Sequence, residues 1–147
     1  MNLKGVKFAF LSHETEGATG YPEMLGNYLR ECGAKLSHIR FPFFISQTKS
    51  IWIEQYDGPT LLSKKRSWIR FYKPQELSFM KDFLWTMIYG WTQVRGADLL
   101  ITSNNLNAMA GVFLRELGIV KRVVFMMIDY SPKRFDNPVV EAIYRWV

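Results

Sequence analysis

The chain contains a single cysteine, only two histidines and no long uninterrupted apolar run. Cys32 cannot form an internal disulfide, which favours a reducing compartment. One cysteine and two widely spaced histidines do not supply the ligands of a zinc site, and we expect no bound metal. His38 is expected either at the surface or at a position where its hydrogen bonds are satisfied within the fold, and not as a ligand. The longest helical candidate without a charge, residues 83–94, falls well short of the roughly 20 residues that span a bilayer. We therefore expect a chain that is soluble or peripherally bound to a membrane.

Aromatic residues and positive charge are what the sequence has in excess. Aromatics make up 16% of its 147 residues, and the formal net charge is +6. The hydrophobic and charged fractions, 48% and 22%, are globular values that exclude collagen, disulfide scaffolds and disordered chains. We expect one domain over residues 1–147 and an anionic partner, namely phosphate, nucleic acid or a membrane surface.

Short apolar runs alternate with helical patterns along the chain. Strands are predicted at residues 6–11, 36–41, 98–103 and 121–128, with a weaker candidate at 50–56. Helices are predicted from Pro22 to Gly33, over residues 74–95, over residues 105–117 after the capping residue Asn104, and again after Asn137. This order predicts parallel βαβ units with right-handed crossovers. The fold class is therefore α/β, with a Rossmann-like, doubly wound and mostly parallel sheet.

Several polar residues follow the predicted strands, at the edge where open parallel sheets bind ligands. His13 ends the first strand and would act as a general base toward a hydroxyl, unless it is a solvent-exposed loop histidine. Gly17 and Gly20 either let backbone amides approach an anion or only turn the chain. Asn104 precedes a helix N-terminus beside the same crevice. Asp129, after the last strand, either orients a sugar hydroxyl or caps the following turn.

A basic segment accounts for nearly all of the net charge, because residues 59–74 contain no acid. Its cations alternate with aromatic residues, and the candidate patch is Lys64, Lys65, Arg66, Trp68, Arg70 and Lys73. Such a mixture suits an anionic lipid surface or single-stranded nucleic acid. The absence of a nucleic-acid-binding signature favours the membrane. The alternative is a solvated face whose aromatic side chains pack inward.

The closing segment, residues 123–146 (VVFMMIDYSPKRFDNPVVEAIYRW), resembles the N-terminal domain of GT-B glycosyltransferases when taken together with the first strand and its Gly17 and Gly20 loop. The nearest group is the group 1, family 4-like enzymes. The resemblance covers the two ends of the chain well and residues 43–73 poorly. It implies two Rossmann-like domains that face a cleft. The first binds the acceptor, and the second, absent from this chain, binds a nucleotide-sugar that serves as co-substrate, with no other cofactor.

The resemblance also implies roles for individual residues. Gly17 and Gly20 match the glycine loop that approaches the donor diphosphate, and Asn104 would offer a donor to the diphosphate or the sugar. Asp129 lies near a histidine-aspartate position of the family, although Ile128 replaces the histidine here. His13 stands where inverting relatives place a base, and retaining or inverting chemistry stays open.

Two hypotheses follow for the function. The first is the acceptor half of a two-domain glycosyltransferase, inactive by itself, acting in the cytoplasm with peripheral attachment to the inner membrane face and a sugar or lipid-linked acceptor. The apolar helical pattern that runs to the last residue agrees with an unfinished chain. The second is a non-catalytic, flavodoxin-like module that binds an anion or a protein partner.

Overall fold

Six strands form one mixed sheet in the computed structural model, which describes residues 2–14, 20–42, 50–67, 75–126, 138–139 and 141–142. The elements follow in the order β1 (Lys7–Glu14), α1 (Tyr21–Glu31), β2 (Lys35–Pro42), β3 (Trp52–Asp57), β4 (Thr60–Arg66), α2 (Gln75–Gln93), β5 (Leu99–Thr102), α3 (Asn105–Glu116) and β6 (Val123–Phe125). Across the sheet the order is β4-β3-β2-β1-β5-β6. Strands β2, β1, β5 and β6 are parallel, and β3 and β4 extend the sheet as an antiparallel hairpin.

This arrangement confirms the predicted α/β class and the Rossmann-like, mostly parallel sheet. The weak pattern at residues 50–56 is strand β3, and residues 138–139 and 141–142 are helical. Strand β6 is shorter than the predicted run at residues 121–128, of which residues 127–128 lie outside the described residues. No helix among the described residues combines the length and the apolar character needed to cross a membrane.

Strand β4 is the element that the sequence analysis did not predict. Its sequence, TLLSKKR, has no alternation of apolar and polar residues. The strand lies at the edge of the sheet and nearly all of its residues are exposed, so no buried face imposes a period of two. Pairing with β3 alone defines it as a strand.

Helices cover both faces of the sheet, as a doubly wound fold requires. Successive residues of β1 point to opposite faces, so Phe10 and Leu11 belong to different cores. Phe10 packs with Leu29 beneath α1. Leu11 lies in the core on the other face, which also contains Leu114 of α3. The chain therefore buries the sheet between α1 and the pair α2 and α3.

A glycine lets α2 and α3 approach each other closely. A Cβ atom at Gly90 would lie 2.2 Å from Cδ1 of the buried Leu114, a distance that side chains do not tolerate. Beside this contact, the Thr86 hydroxyl donates a 3.0 Å hydrogen bond to Oδ1 of Asn107. The hydrogen bond to Asn107 fixes the first turn of α3 against α2, and the contact of Gly90 with Leu114 fixes its last turn.

The winding of the sheet reverses between β1 and β5. From β1 the chain passes through α1 to β2 on one side, and from β5 it passes through α3 to β6 on the other. The carboxyl ends of β1 and β5 are joined by a hydrogen bond from the Ser103 backbone N–H to the Leu11 carbonyl at 3.1 Å. The carboxyl ends of β1 and β5, where the sequence predicts a ligand crevice, therefore meet at the switch point, where such sheets bind ligands.

Candidate functional site

His13 lies at this switch point with its imidazole enclosed by three elements. Its Nε2 is 3.1 Å from Oδ2 of Asp82 on α2, and its Nδ1 contacts Nδ2 of Asn104 at the start of α3. The ring stacks on Phe41 of β2, with centroids 5.3 Å apart. Only 10% of the side chain is exposed. The predicted position at the end of β1 is correct, and the alternative of a solvent-exposed loop histidine is wrong.

Asn104 caps α3, as the sequence predicted. Its Oδ1 accepts a 2.8 Å hydrogen bond from the backbone N–H of Asn107, which satisfies one of the free amides of the first turn. Its other amide atom, Nδ2, lies against His13. The cap residue therefore connects the N-terminus of α3 to the candidate base, and the structure brings together two of the predicted site residues.

Asp82 completes the site and is the residue that the sequence analysis missed. Its side chain is only 7% exposed and contacts His13 on one oxygen, while Lys81 Nζ lies 3.3 Å from the other. A recognisable signal is present in α2. Asp82 and Thr86 are four residues apart, in line with Gly90 and Val94, and all four positions are buried. Two polar residues on the buried face of a helix are expected to form hydrogen bonds with polar side chains of other elements.

The pairing with Asp82 sets what His13 can do chemically. An ionised carboxylate only accepts hydrogen bonds, so Nε2 carries the proton that it shares with Asp82. Nδ1 is then the basic nitrogen. When Nδ1 takes a proton, the carboxylate stabilises the resulting imidazolium and holds the ring in place. A histidine with these partners has the arrangement of a general base.

The remaining residues predicted at the crevice are placed only in part. Gly20 is the N-cap of α1 and its carbonyl accepts the Met24 backbone N–H at 3.2 Å. Its φ of −117° is open to any residue, so the backbone here does not require glycine. Gly17 and Asp129 lie outside the described residues.

Half of the predicted basic patch lies on the edge strand β4. Lys64, Lys65 and Arg66 are exposed there, whereas Trp68, Arg70 and Lys73 lie outside the described residues. The exposed cations are held by aromatic packing as well as by charge, because Lys64 Nζ and the Arg66 guanidinium lie 4.7 Å and 4.5 Å from the ring centroid of Trp52.

Lys64 has an internal counter-charge, Glu54, which is almost completely buried. The Lys64 Nζ lies 2.8 Å from one oxygen of Glu54, and Arg40 Nε and the Tyr56 hydroxyl bind the other at 3.1 Å and 3.0 Å. Burial by itself would raise the pKa of the Glu54 carboxyl. The hydrogen bond from Lys64, the Arg40 charge and the Tyr56 hydroxyl outweigh it and hold that pKa below its usual value. The outward charge of the described patch is therefore carried mainly by Lys65 and Arg66.

Within the part of the chain that the structure describes, no group of three or more histidine, cysteine, aspartate or glutamate side chains is arranged to hold a metal ion. Comparisons of the chain with models of known families, with curated proteins and with solved structures find no match.

Proposed function

We propose that this chain is the acceptor-binding, N-terminal half of a GT-B glycosyltransferase, which moves a sugar from a nucleotide-sugar to an acceptor hydroxyl. The observation that carries the proposal is the pairing of His13 with Asp82 at the switch point of a Rossmann-like sheet. A base at the carboxyl end of β1 is what a hydroxyl nucleophile needs, and the resemblance of the sequence to GT-B enzymes supplies the reaction class.

In the proposed reaction the acceptor hydroxyl gives its proton to Nδ1 of His13. The oxygen forms a bond to the anomeric carbon of the donor, and the bond from that carbon to the diphosphate breaks. The nucleoside diphosphate leaves with the bonding electrons, while Asp82 stabilises the imidazolium. Such base catalysis is worth about 10²–10⁴ in rate. A single displacement inverts the anomeric carbon, so the proposal includes inversion of configuration.

The other predicted residues keep supporting roles in this proposal. The first-turn amides of α3, beside Asn104, carry partial positive charge that suits the donor diphosphate. Gly17 and Gly20 would approach the same diphosphate through their backbone, and Asp129 would orient a sugar hydroxyl. The nucleotide itself would be bound by a second domain.

The direct test is sugar transfer by the full gene product, including any sequence that the gene encodes after residue 147. The protein is incubated with a panel of nucleotide-sugars and a membrane lipid extract, and release of the nucleoside diphosphate is measured. We expect release that requires the extract, together with a product of inverted anomeric configuration. Absence of release with every donor, combined with tight binding of inorganic phosphate by the chain, would favour the flavodoxin-like binding module instead.

The proposal also includes docking to an anionic membrane surface through the β4 edge. Lys65 and Arg66 are exposed there, and Leu61 and Leu62 at the start of the same strand are exposed as well. Cations that meet lipid head groups next to apolar side chains are typical of peripheral attachment. A lipid-linked acceptor would then be presented at the same surface.

Vesicle sedimentation distinguishes docking to a membrane from the alternative that the cations of β4 only keep this edge strand from pairing with another chain. Each cation near an anionic surface contributes about 1 kcal/mol, so Lys65→Ala with Arg66→Ala should weaken binding to phosphatidylglycerol vesicles about 30-fold. Lys121→Ala with Arg122→Ala is the matched control, because it removes the same charge from exposed residues beside β6 at the opposite edge of the sheet, and it should have a smaller effect. Equal binding of the β4 double variant and the unsubstituted protein, or equal binding to neutral phosphatidylcholine vesicles, would rule out the role.

A further inference from the structure

The two ends of the Asn104 side chain make different contacts, and together they fix its orientation. The oxygen caps α3 by accepting the Asn107 backbone N–H at 2.8 Å. The nitrogen therefore faces Nδ1 of His13. A flipped amide would set Nδ2 against the N–H of Asn107, donor against donor, and would lose the cap. The usual ambiguity of an amide side chain is thus removed by the helix cap.

We propose that Asn104 is a positioning residue that, with Asp82, holds neutral His13 in the Nε2–H tautomer. The amide N–H of Asn104 donates to Nδ1, which must therefore carry a lone pair. The Nε2–H donates to Asp82 on the opposite side of the ring. Donor and acceptor partners on the two sides specify the same tautomer, so the basic nitrogen is directed toward the N-terminus of α3.

Among the described residues, the side chains that face the His13 ring lie on α2, on β2 and at the start of α3. Asp82 is the charged group in direct contact, and Lys81 acts through the other oxygen of that carboxylate. Ser103 accepts the His13 backbone N–H at 3.3 Å, and Phe41 covers a face of the ring without charge. Protonation of Nδ1 would bring an N–H against the Asn104 amide N–H.

A functional consequence rests on the proposed glycosyltransferase activity. Both ring nitrogens are engaged, so an acceptor hydroxyl reaches Nδ1 only by displacing the Asn104 amide. Asn104 would therefore keep the base covered until the acceptor arrives. The tautomer itself is a property of the folded chain and needs no substrate.

Nuclear magnetic resonance of the protein labelled with ¹⁵N-histidine tests the tautomer directly. Long-range ¹H–¹⁵N correlations distinguish a protonated from an unprotonated ring nitrogen at each histidine. We expect His13 to show a proton on Nε2 and a lone pair on Nδ1 in the neutral form. His38 is an internal reference, because it lies on the other face of the sheet with Nε2 2.9 Å from the Ser12 hydroxyl. A proton on Nδ1 of neutral His13 would overturn the proposal.

Two substitutions of the cap residue sharpen the test. Asn104→Asp keeps a good helix cap and replaces the amide N–H by a second carboxylate oxygen at Nδ1. That oxygen can only accept a hydrogen bond, so Nδ1 of His13 should carry a proton in this variant. Asn104→Ser keeps the cap without reaching Nδ1, so the Nδ1 resonance should move while Nε2 stays protonated through Asp82. The His38 resonances should not change in either variant.

The proposal is wrong if Nδ1 of His13 carries no proton in Asn104→Asp, or if its Nδ1 resonance is unmoved in Asn104→Ser. Neither result depends on catalysis. Failure of the tautomer assignment is therefore distinguishable from failure of the glycosyltransferase proposal, which is measured by nucleotide release.

Discussion

Replacing Asp82 by asparagine is the perturbation that examines the site most closely without deleting a side chain. The substitution keeps the shape of the residue and removes its charge. An asparagine oxygen turned toward His13 still accepts the Nε2–H. Its NH₂ group then faces Lys81, where a carboxylate oxygen lies 3.3 Å from Nζ in the unsubstituted chain. The variant therefore loses a counter-charge in a place with little access to water.

The structure sets the expected size of the effect. Hydrogen bonds to a charged group contribute about 1.5–3 kcal/mol, against about 1 kcal/mol for neutral pairs, and deleting one partner of a buried ion pair costs about 3–5 kcal/mol. The Asp82 and Lys81 side chains are 7% and 11% exposed, so solvent screening is weak. We expect Asp82→Asn to lower the free energy of unfolding by about 2 kcal/mol.

Urea unfolding at neutral pH, followed by tryptophan fluorescence, measures this loss. With a denaturant slope of about 2 kcal/mol/M, the midpoint should fall by about 1 M. Glu116→Gln is the matched control, because that carboxylate is 66% exposed beside Arg115 and should be worth less than about 0.5 kcal/mol.

A double-mutant cycle also removes His13, the partner of Asp82. Combining Asp82→Asn with His13→Ala should give less than the sum of the separate losses, with a coupling of about 1 kcal/mol between residues in contact. Unchanged stability in Asp82→Asn, or strict additivity with His13→Ala, would show that the buried contact between the two side chains does not exist.

Two helical glycines and one carboxylate give further predictions. Gly26→Ala should stabilise the chain by about 0.5–1 kcal/mol, because the atom nearest to the new Cβ is Nδ1 of His38, at an ordinary contact distance of 3.6 Å. Gly90→Ala should instead destabilise it by about 1 kcal/mol, since overpacking against Leu114 outweighs the gain in helix propensity. The urea midpoint should therefore rise in Gly26→Ala and fall in Gly90→Ala, and equal midpoints in the two variants would contradict the close contact between α2 and α3. Because the pKa of Glu54 is held below its usual value, its contribution to stability is present at neutral pH and is lost as the pH falls below about 4. Glu54→Gln should therefore be less stable at pH 7 and decline less toward pH 3, and parallel stability curves for the two proteins would refute the assignment.

Elements with strong local signals could be predicted from the sequence. Helix α3 begins after the capping residue Asn104 and is followed by Gly118 at a φ of +69°, as the sequence pattern indicated. Strand β1 and its position beside the switch point followed from the βαβ order. From that order His13 could be assigned to the crevice, although its burial could not.

The features that the sequence analysis missed depend on contacts between distant segments. In sequence, Asp82 is one acid near the middle of a long helix, and only the approach of His13, 69 residues earlier in the chain, makes it part of a site. Strand β4 has no pattern of its own because both its faces are exposed. Lys64 reads as part of a uniform basic run, while the fold gives it a buried counter-charge in Glu54.

The central claim is that His13 accepts the proton of the acceptor hydroxyl during sugar transfer. The most direct measurement is kcat of the full gene product carrying His13→Ala, compared with His38→Gln, a substitution of the buried histidine on the opposite face of the sheet. Circular dichroism confirms that each variant is folded. We predict a fall in kcat of about 10²–10⁴ for His13→Ala and a change of only a few-fold for His38→Gln. A kcat for His13→Ala equal to that of the unsubstituted enzyme would contradict the claim.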